Sequence, residues 1–305
     1  MFLVALALAL LPTPTAWRTP SRLAAVGARA DAVSRLRTPA APVAVVSEKR
    51  DASEAIYTEK RGMPMFLGGL RAGTRKLCVV TGASSGLGLA TVKALADEGN
   101  TFVICAVRSP EKMRQVAKEA GIKESSYCAM KLELASLKSV RDFVSDLKAF
   151  KGPRALDRLV CNAAVYLPAD PQPRFTDDGF EMSMGVNHLG HFLLVNLLLD
   201  DMAKAKNARV CIVGSITGNT NTIGGGFVYP RANLGELAGL AQASESLMAD
   251  GGKFDGAKAY KDSKLLNMMT VDQLHRRYHD STGITFCSMY PGWYAARAPL
   301  LFRAG

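Results

Sequence analysis

The chain has 6 cysteines and 4 histidines among 305 residues, and no two of the cysteines form a C-x-x-C pair. A structural zinc site needs clustered ligands and a disulfide framework needs paired spacing, so neither is expected. Cys78, Cys105, Cys128, Cys161, Cys211 and Cys287 instead fall one in each of six apolar, β-branched runs, which predicts small core residues with reduced thiols. Aromatics are sparse at 7%, with 2 tryptophans, and no basic stripe interleaved with aromatics appears, which argues against nucleic-acid recognition. After the first residues no apolar run approaches the roughly 20 needed to span a bilayer, so a soluble or peripheral mature protein is expected. What is present is 48% apolar residues against 21% charged, enough for a sizeable core and incompatible with a disordered or fibrous chain.

Acid is scarce at the front. The net charge of +11 is unevenly placed, with +7 of it in residues 1–76. Phe2 to Leu11 is an unbroken apolar run, too short for a span and of the right length for a signal peptide, expected over residues 1–17. Arg18 to Val46 is rich in Ala, Pro, Ser, Thr and Arg with Asp31 as its single acid, the composition of an organelle transit peptide; transit peptide and linker are expected to fill residues 18–72. The two in series resemble the bipartite address of a plastid behind an extra secretory membrane. A secretory signal followed by a propeptide is the alternative.

From Arg75 onward, short apolar runs alternate with helical periods, which predicts βαβ units and a doubly wound α/β domain over residues 73–305, with helices on both faces of a parallel sheet. Strands are expected at Leu77–Thr81, Thr101–Val107, Tyr127–Glu133, Arg158–Asn162, Arg209–Ser215 and Thr285–Tyr290. Their near-continuous apolar character suits strands covered on both faces.

The first strand runs into Thr81-Gly82-Ala83-Ser84-Ser85-Gly86-Leu87-Gly88 and then a helix with Leu89, Val92 and Leu95 on one face, ending near Gly99. Glycines let the backbone turn tightly and approach a pyrophosphate, and the helix N-terminus offers free N–H groups to it. Gly82, Ser84, Ser85, Gly86, Leu87 and Gly88 are therefore candidate dinucleotide contacts. The second strand ends at Val107-Arg108, where an NAD site would carry an acid for the ribose 2′-hydroxyl. Arg108, with Lys112 a turn later, suits a 2′-phosphate instead and favours NADPH.

These words resemble the short-chain dehydrogenase/reductase family: its TGxxxGxG turn at Thr81 to Gly88, its NAG-type motif at Asn162-Ala163-Ala164, and its ordered tetrad at Asn187, Ser215, Tyr260 and Lys264. The resemblance covers residues 75–292 and implies a Rossmann-type fold and a nicotinamide cofactor held also by Asn162, Ala163, Tyr260, Lys264 and Glu133, which stands where the family usually has Asp for the adenine amino group. Tyr260 and Lys264 at i and i+4 share a helical face, where an ammonium lowers a phenol's pKa and holds ribose hydroxyls. Ser215 is expected to orient substrate or phenol, and Asn187 to hold a water linking Lys264 to solvent. His188 and His191 are read as packing residues, since no Cys or carboxylate completes a metal set; no metal is expected.

Between Ser215 and Tyr260 lie 44 residues, an insert at about 219–256 expected over the reacting side of the cleft, with one helical stretch near Glu236–Met248. This and the words Cys161 to Tyr166, Gly214 to Asn221, Asn233-Leu234-Gly235, Lys258 to Lys264 and His275 to His279 are similar to a light-dependent branch of the family. The branch implies reduction of the C17–C18 double bond of protochlorophyllide to chlorophyllide with NADPH, in the plastid, with possible membrane association and homo-oligomers. A generic NADP-dependent carbonyl reductase and a binding-only paralogue are the competing readings. After Tyr290-Pro291-Gly292 the chain reads Trp293-Tyr294-Ala295-Ala296-Arg297, where the branch has a Cys and paired Thr residues, and 13 residues follow Gly292. The expectation is a chain incomplete or divergent at this end, lacking a seventh strand.

Overall fold

A computed structural model describes residues 71–241 and 248–292. The leader, residues 242–247 and everything from Trp293 onward, with the expectations attached to them, lie outside the described residues. By contact the chain divides at Ala55, and every described residue belongs to the second unit, Ile56–Gly305.

The elements follow the expected alternation: β1 (Lys76–Thr81), α1 (Gly86–Asp97), β2 (Thr101–Val107), α2 (Pro110–Glu119), β3 (Tyr127–Lys131), α3 (Leu137–Lys151), β4 (Arg158–Cys161), α4 (Gly190–Ala203), β5 (Arg209–Val213), α5 (Gly256–Thr282) and β6 (Thr285–Met289). All six strands are parallel, in the order β3-β2-β1-β4-β5-β6. The chain therefore winds one way from β1 to β3, then crosses back to β4, leaving a crevice at the carboxyl ends of β1 and β4.

Alternation along each central strand divides the apolar side chains between two faces. Leu77, Val79, Phe102 and Ile104 pack with Phe143, Leu147, Leu194, Leu198 and Leu274 from α3, α4 and α5. Cys78, Val80, Val103 and Cys105 pack on the other face with Val92, Met113 and Ala117 from α1 and α2. Phe102, Phe143, Leu147, Leu194 and Leu198 are at most 1% exposed, so each contributes about 1.5–3 kcal/mol of transfer free energy. Serine and aspartate caps start the helices: Ser109 accepts the Lys112 N–H, Ser136 the Ser139 N–H and Asp255 the Lys258 N–H. Gly283, left-handed at φ 70°, ends α5.

Two expectations change. Four cysteines are buried, but Cys211 is half-buried and Cys287 exposed, because β6 lies at the sheet edge and its Thr285–Cys287–Met289 face is uncovered among the described residues. The thiol pair sits in direct register, Cys211 beside Cys287. Of the helical stretch expected near Glu236–Met248, a turn at Ala238–Ala241 is described and residues 242–247 lie outside the described residues. Glu133, Asn162 and Ser215 lie just past their strands rather than within them, since each side chain or backbone is drawn into a turn at the crevice.

Candidate functional site: a dinucleotide crevice and a Ser–Tyr–Lys cluster

The turn after β1 is built by its neighbours as much as by its glycines. Gly82 and Gly86 have φ of 64° and 51°, which side chains rarely adopt. A Cβ on Gly88 would stand 2.3 Å from the Gly82 carbonyl oxygen and 2.6 Å from Asn162 Nδ2. Asn162 donates to the Thr81 carbonyl at 2.9 Å, which ties the end of β4 to the turn, and Ala163 backs Gly82 so closely that a Cβ there would meet its Cα at 2.9 Å. Ser85 is the N-cap of α1 and makes no side-chain cap bond, unlike Ser109, Ser136 and Asp255. The first N–H groups of α1 are thus left for an anion, and the turn leaves space where side chains would block a pyrophosphate. Ser84 and Leu87 are half-buried along the same turn.

Arg108 and Lys112 are both exposed, Arg108 just past β2 and Lys112 in the first turn of α2, on the side where an adenosine ribose would lie. Glu133 does not stand free: its Oε1 accepts the Ala135 N–H at 3.0 Å, and its own N–H donates to Ser139 Oγ at 3.0 Å.

Beyond β5, Ser215 caps a short 3-10 turn through its bond from the Thr217 N–H, and its hydroxyl lies 2.8 Å from Thr217 Oγ1. It also draws the pKa of the nearby Tyr260 phenol downward. Tyr260 and Lys264 share one face of α5, with Lys264 Nζ 5.6 Å from the Tyr260 ring centroid. Lys264 is 2% exposed and donates to the Val213 carbonyl at 2.8 Å; burial brings its ammonium down to about 8. The expected lowering of the phenol by this ammonium is not what the geometry produces. Burial pushes the Tyr260 phenol up, Tyr166 adds to the rise, and only the Ser215 hydrogen bond works downward. The ammonium's attraction falls mainly on the ring face, and both groups lose hydration together.

Asn187 occupies a π-helical turn, Met184–Leu189, leading into α4. Its amide is fully engaged: Oδ1 accepts the Val165 N–H at 2.8 Å, and Nδ2 donates to the Val165 carbonyl at 3.0 Å and Ser263 Oγ at 3.1 Å. Its backbone carbonyl accepts from Asn267 Nδ2 at 3.0 Å and faces His191 Nδ1 at 3.2 Å. The side chain therefore positions the loop after β4, and the carbonyl is the group turned toward α5.

Several residues that sequence reasoning did not place in the site complete it. Thr81 Oγ1 accepts the N–H groups of Asn162 and Ala163 at 2.9 and 3.0 Å, and its proton points to His191 Nε2 at 2.9 Å. With Nε2 accepting, His191 carries its proton on Nδ1 and donates it to the Asn187 carbonyl. His188 pairs with Asn267 Oδ1 at 3.1 Å. Burial lowers both imidazoles to about 4, so they are neutral struts between the glycine turn and α5, in line with the packing role expected of them. Among the described residues no group of three His, Cys, Asp or Glu could hold a metal. Tyr166, 61% exposed, sets its ring 4.7 Å from that of Tyr260. Its signal in the sequence was only its place, four residues past Asn162.

The pattern of the short chain dehydrogenase family matches residues 76–233. Protochlorophyllide reductase, chloroplastic, of Marchantia paleacea is 54% identical over 239 residues, covering 76% of this chain and 51% of that protein. The protein of the same name in Chlamydomonas reinhardtii is 57% identical over 233 residues, 75% of this chain and 57% of its own. Protochlorophyllide reductase B, chloroplastic, of Oryza sativa subsp. japonica is 51% identical over 276 residues, 88% and 67% respectively. The chain thus spans little more than half the length of the first two. Among solved structures, a putative short chain dehydrogenase from Pseudomonas syringae superposes with TM-score 0.52 at 20% identity, covering 74% of this chain and 77% of that one. A metagenomic short-chain oxidoreductase in complex with NADP gives TM-score 0.50 at 21% identity, covering 71% and 82%. With the uncapped glycine turn, the Ser215, Tyr260 and Lys264 cluster beyond β5 and these relatives in agreement, the chain belongs to the short chain dehydrogenase family.

Proposed function

We propose that this chain carries the cofactor crevice and reacting side chains of a plastid enzyme that reduces the C17–C18 double bond of protochlorophyllide to chlorophyllide, using NADPH and light. The observation that carries this reading is the 51–57% identity, over 233–276 residues, to proteins named protochlorophyllide reductase. The plastid address rests on the same names and on the composition of the leader.

The residues present fit a nicotinamide dinucleotide: an uncapped helix start, a turn that a Cβ would fill, and a buried ammonium beside a phenol. NADPH, when bound, supplies a hydride to C17. Arg108 and Lys112 would pair with the 2′-phosphate, and no acid stands there to favour NAD. Tyr260 would deliver the proton to C18, directly or through water, so that hydride and proton together saturate the bond. A phenol raised by burial is fully protonated at neutral pH, which suits a donor. Ser215 would hold the phenol's direction and Lys264 would hold the ribose hydroxyls, while Asn187, whose amide and carbonyl are already bonded to Val165, Ser263, Asn267 and His191, would brace the site rather than place a water.

The test is absorbance of the full chain with NADPH and protochlorophyllide, in darkness and after a light flash. A red-shifted product band that appears only after illumination is expected. A dark shift unchanged by light would favour a binding-only protein, and turnover of a carbonyl substrate in darkness would favour a generic reductase. A separate titration decides the cofactor: Arg108→Ala is expected to weaken NADPH about tenfold or more with little change for NADH.

A further inference from the structure

Helix α5 carries three charged side chains beside Tyr260 and Lys264, Lys258, Lys261 and Asp262, and all three engage the 219–256 insert. Lys261 is 6% exposed, and its ammonium donates to the backbone carbonyls of Val228 at 2.6 Å and Pro230 at 2.7 Å. Asp262 is fully buried; one carboxylate oxygen accepts the Asn233 N–H at 2.8 Å and the other accepts from Lys258 at 2.6 Å. Lys258 also donates to the Asn233 carbonyl at 2.7 Å and pairs with Asp250 at 3.1 Å. The insert begins just after Ser215, ends at the cap of α5, and is held in between at Val228, Pro230, Asn233 and Asp250. Every tie lands within one helical turn of Tyr260.

A buried lysine and a buried aspartate are a costly way to anchor a surface loop, because each charge must be desolvated. Apolar residues would do it with less penalty, so the arrangement points to a need for one exact path of the backbone. What that path displays is apolar. Tyr229, between the two carbonyls held by Lys261, is 72% exposed with the Arg231 guanidinium 4.8 Å from its ring, and Phe227 and Val228 beside it are 76% and 54% exposed. Fixing such side chains in water gains nothing for the fold, whereas a flat conjugated ring would cover them.

We propose that Lys261 and Asp262 are positioning residues that seat the Phe227–Tyr229 face of the insert beside Tyr260, and that this seating sets the affinity for the conjugated macrocycle while leaving the cofactor crevice alone. The identity of the macrocycle rests on the reading above; the seating rests on the hydrogen bonds.

The experiment compares the full chain with Lys261→Met, Lys261→Arg and Asp262→Ala in two measurements. Without any ligand, amide hydrogen exchange across residues 227–235 is expected to quicken about tenfold or more in Lys261→Met and in Asp262→Ala, and to return toward the parent in Lys261→Arg. With protochlorophyllide and NADPH, KM for the pigment is expected to rise about tenfold or more in Lys261→Met, with kcat and the NADPH Kd, read by its fluorescence, within about twofold. Unchanged exchange and pigment KM in Lys261→Met would overturn the proposal, as would pigment and NADPH affinity falling together. Should Asp262→Ala fail to fold, Lys261→Met and its arginine rescue decide alone. If the parent binds NADPH but reduces nothing in light, the pigment-reducing reading fails, and the exchange measurement still judges the seating.

Discussion

Tyr260 is half-buried between the Tyr166 ring and the Ser215 hydroxyl, and its phenol is pushed up rather than down. It therefore stays protonated across the neutral range, as the proposed proton donor must, and removing the hydroxyl should remove that donor without disturbing the crevice. Tyr260→Phe is expected to slow product formation after a flash by about a hundredfold or more, with NADPH affinity within about twofold, measured by single-flash absorbance and fluorescence titration. Lys264 gives a pH signature of its own. Burial lowers it to about 8, so its charge is present below that pH and lost above it. NADPH affinity of the free protein is expected to fall by about tenfold as pH rises through about 8, and Lys264→Met should bind weakly with that step abolished, which a fluorescence titration across pH 6.5–9.5 reads out.

At the scale of elements, the glycine turn and the start of α1 form a unit held by the end of β4. Gly88→Ala would press a methyl group against the Gly82 carbonyl and the Asn162 amide, both fixed by hydrogen bonds to neighbouring strands. The expected result is a loss of about 1–3 kcal/mol in stability and of measurable NADPH binding, seen by thermal unfolding with and without cofactor. The π-helical turn at Met184–Leu189 has the opposite character. It is stitched by side chains, Asn187 reaching the Val165 backbone after β4 and Ser263 of α5, and His188 reaching Asn267 of α5. Sequence periodicity cannot show such a turn, because one extra residue in a helix changes the phase by no more than a strand slip or a loop would.

Across the whole molecule, charges buried far from the crevice and imidazoles buried beneath it govern stability. Asp201 lies near the amino end of β4 and bonds Lys151, itself 3% exposed, at 2.6 Å, with Lys148 and Lys204 close by. Burial would raise its carboxyl, yet the three ammonium groups hold it below the usual range. Asp201→Asn leaves the Lys151 charge without its counter-ion and should lower stability by about 3 kcal/mol in denaturant unfolding, with NADPH affinity unchanged. His188 and His191 are held neutral down to about 4, well below their unfolded value of about 6.5. The unfolded chain takes up their protons first, so stability is full above about 6.5 and falls as pH drops toward 4, by up to about 3 kcal/mol for each. His188→Gln should flatten part of that slope, measured by urea unfolding at pH 7.5 and 5.

The six strands, their order of appearance, the glycine turn and the tetrad were legible in the sequence because each depends on local pattern: apolar runs, period, and residues at fixed spacing around a turn. The uncapped start of α1 was implied by the same words. Tertiary structure alone decided the rest. Whether a phenol's pKa rises or falls depends on which groups are buried with it, and here desolvation outweighed the lysine that the i, i+4 spacing had suggested would lower it. Cys287, the last of six look-alike thiols, is exposed because its strand lies at the sheet edge among the described residues. Lys261 and Asp262 carry no signal in the sequence beyond their place beside Tyr260; only the fold of a segment 29 residues before Asp262 brings the Asn233 amide to its carboxylate. Local pattern fixes which elements form and what their ends carry, and the burial of charge, which requires distant parts of the chain to meet, is settled only when they do.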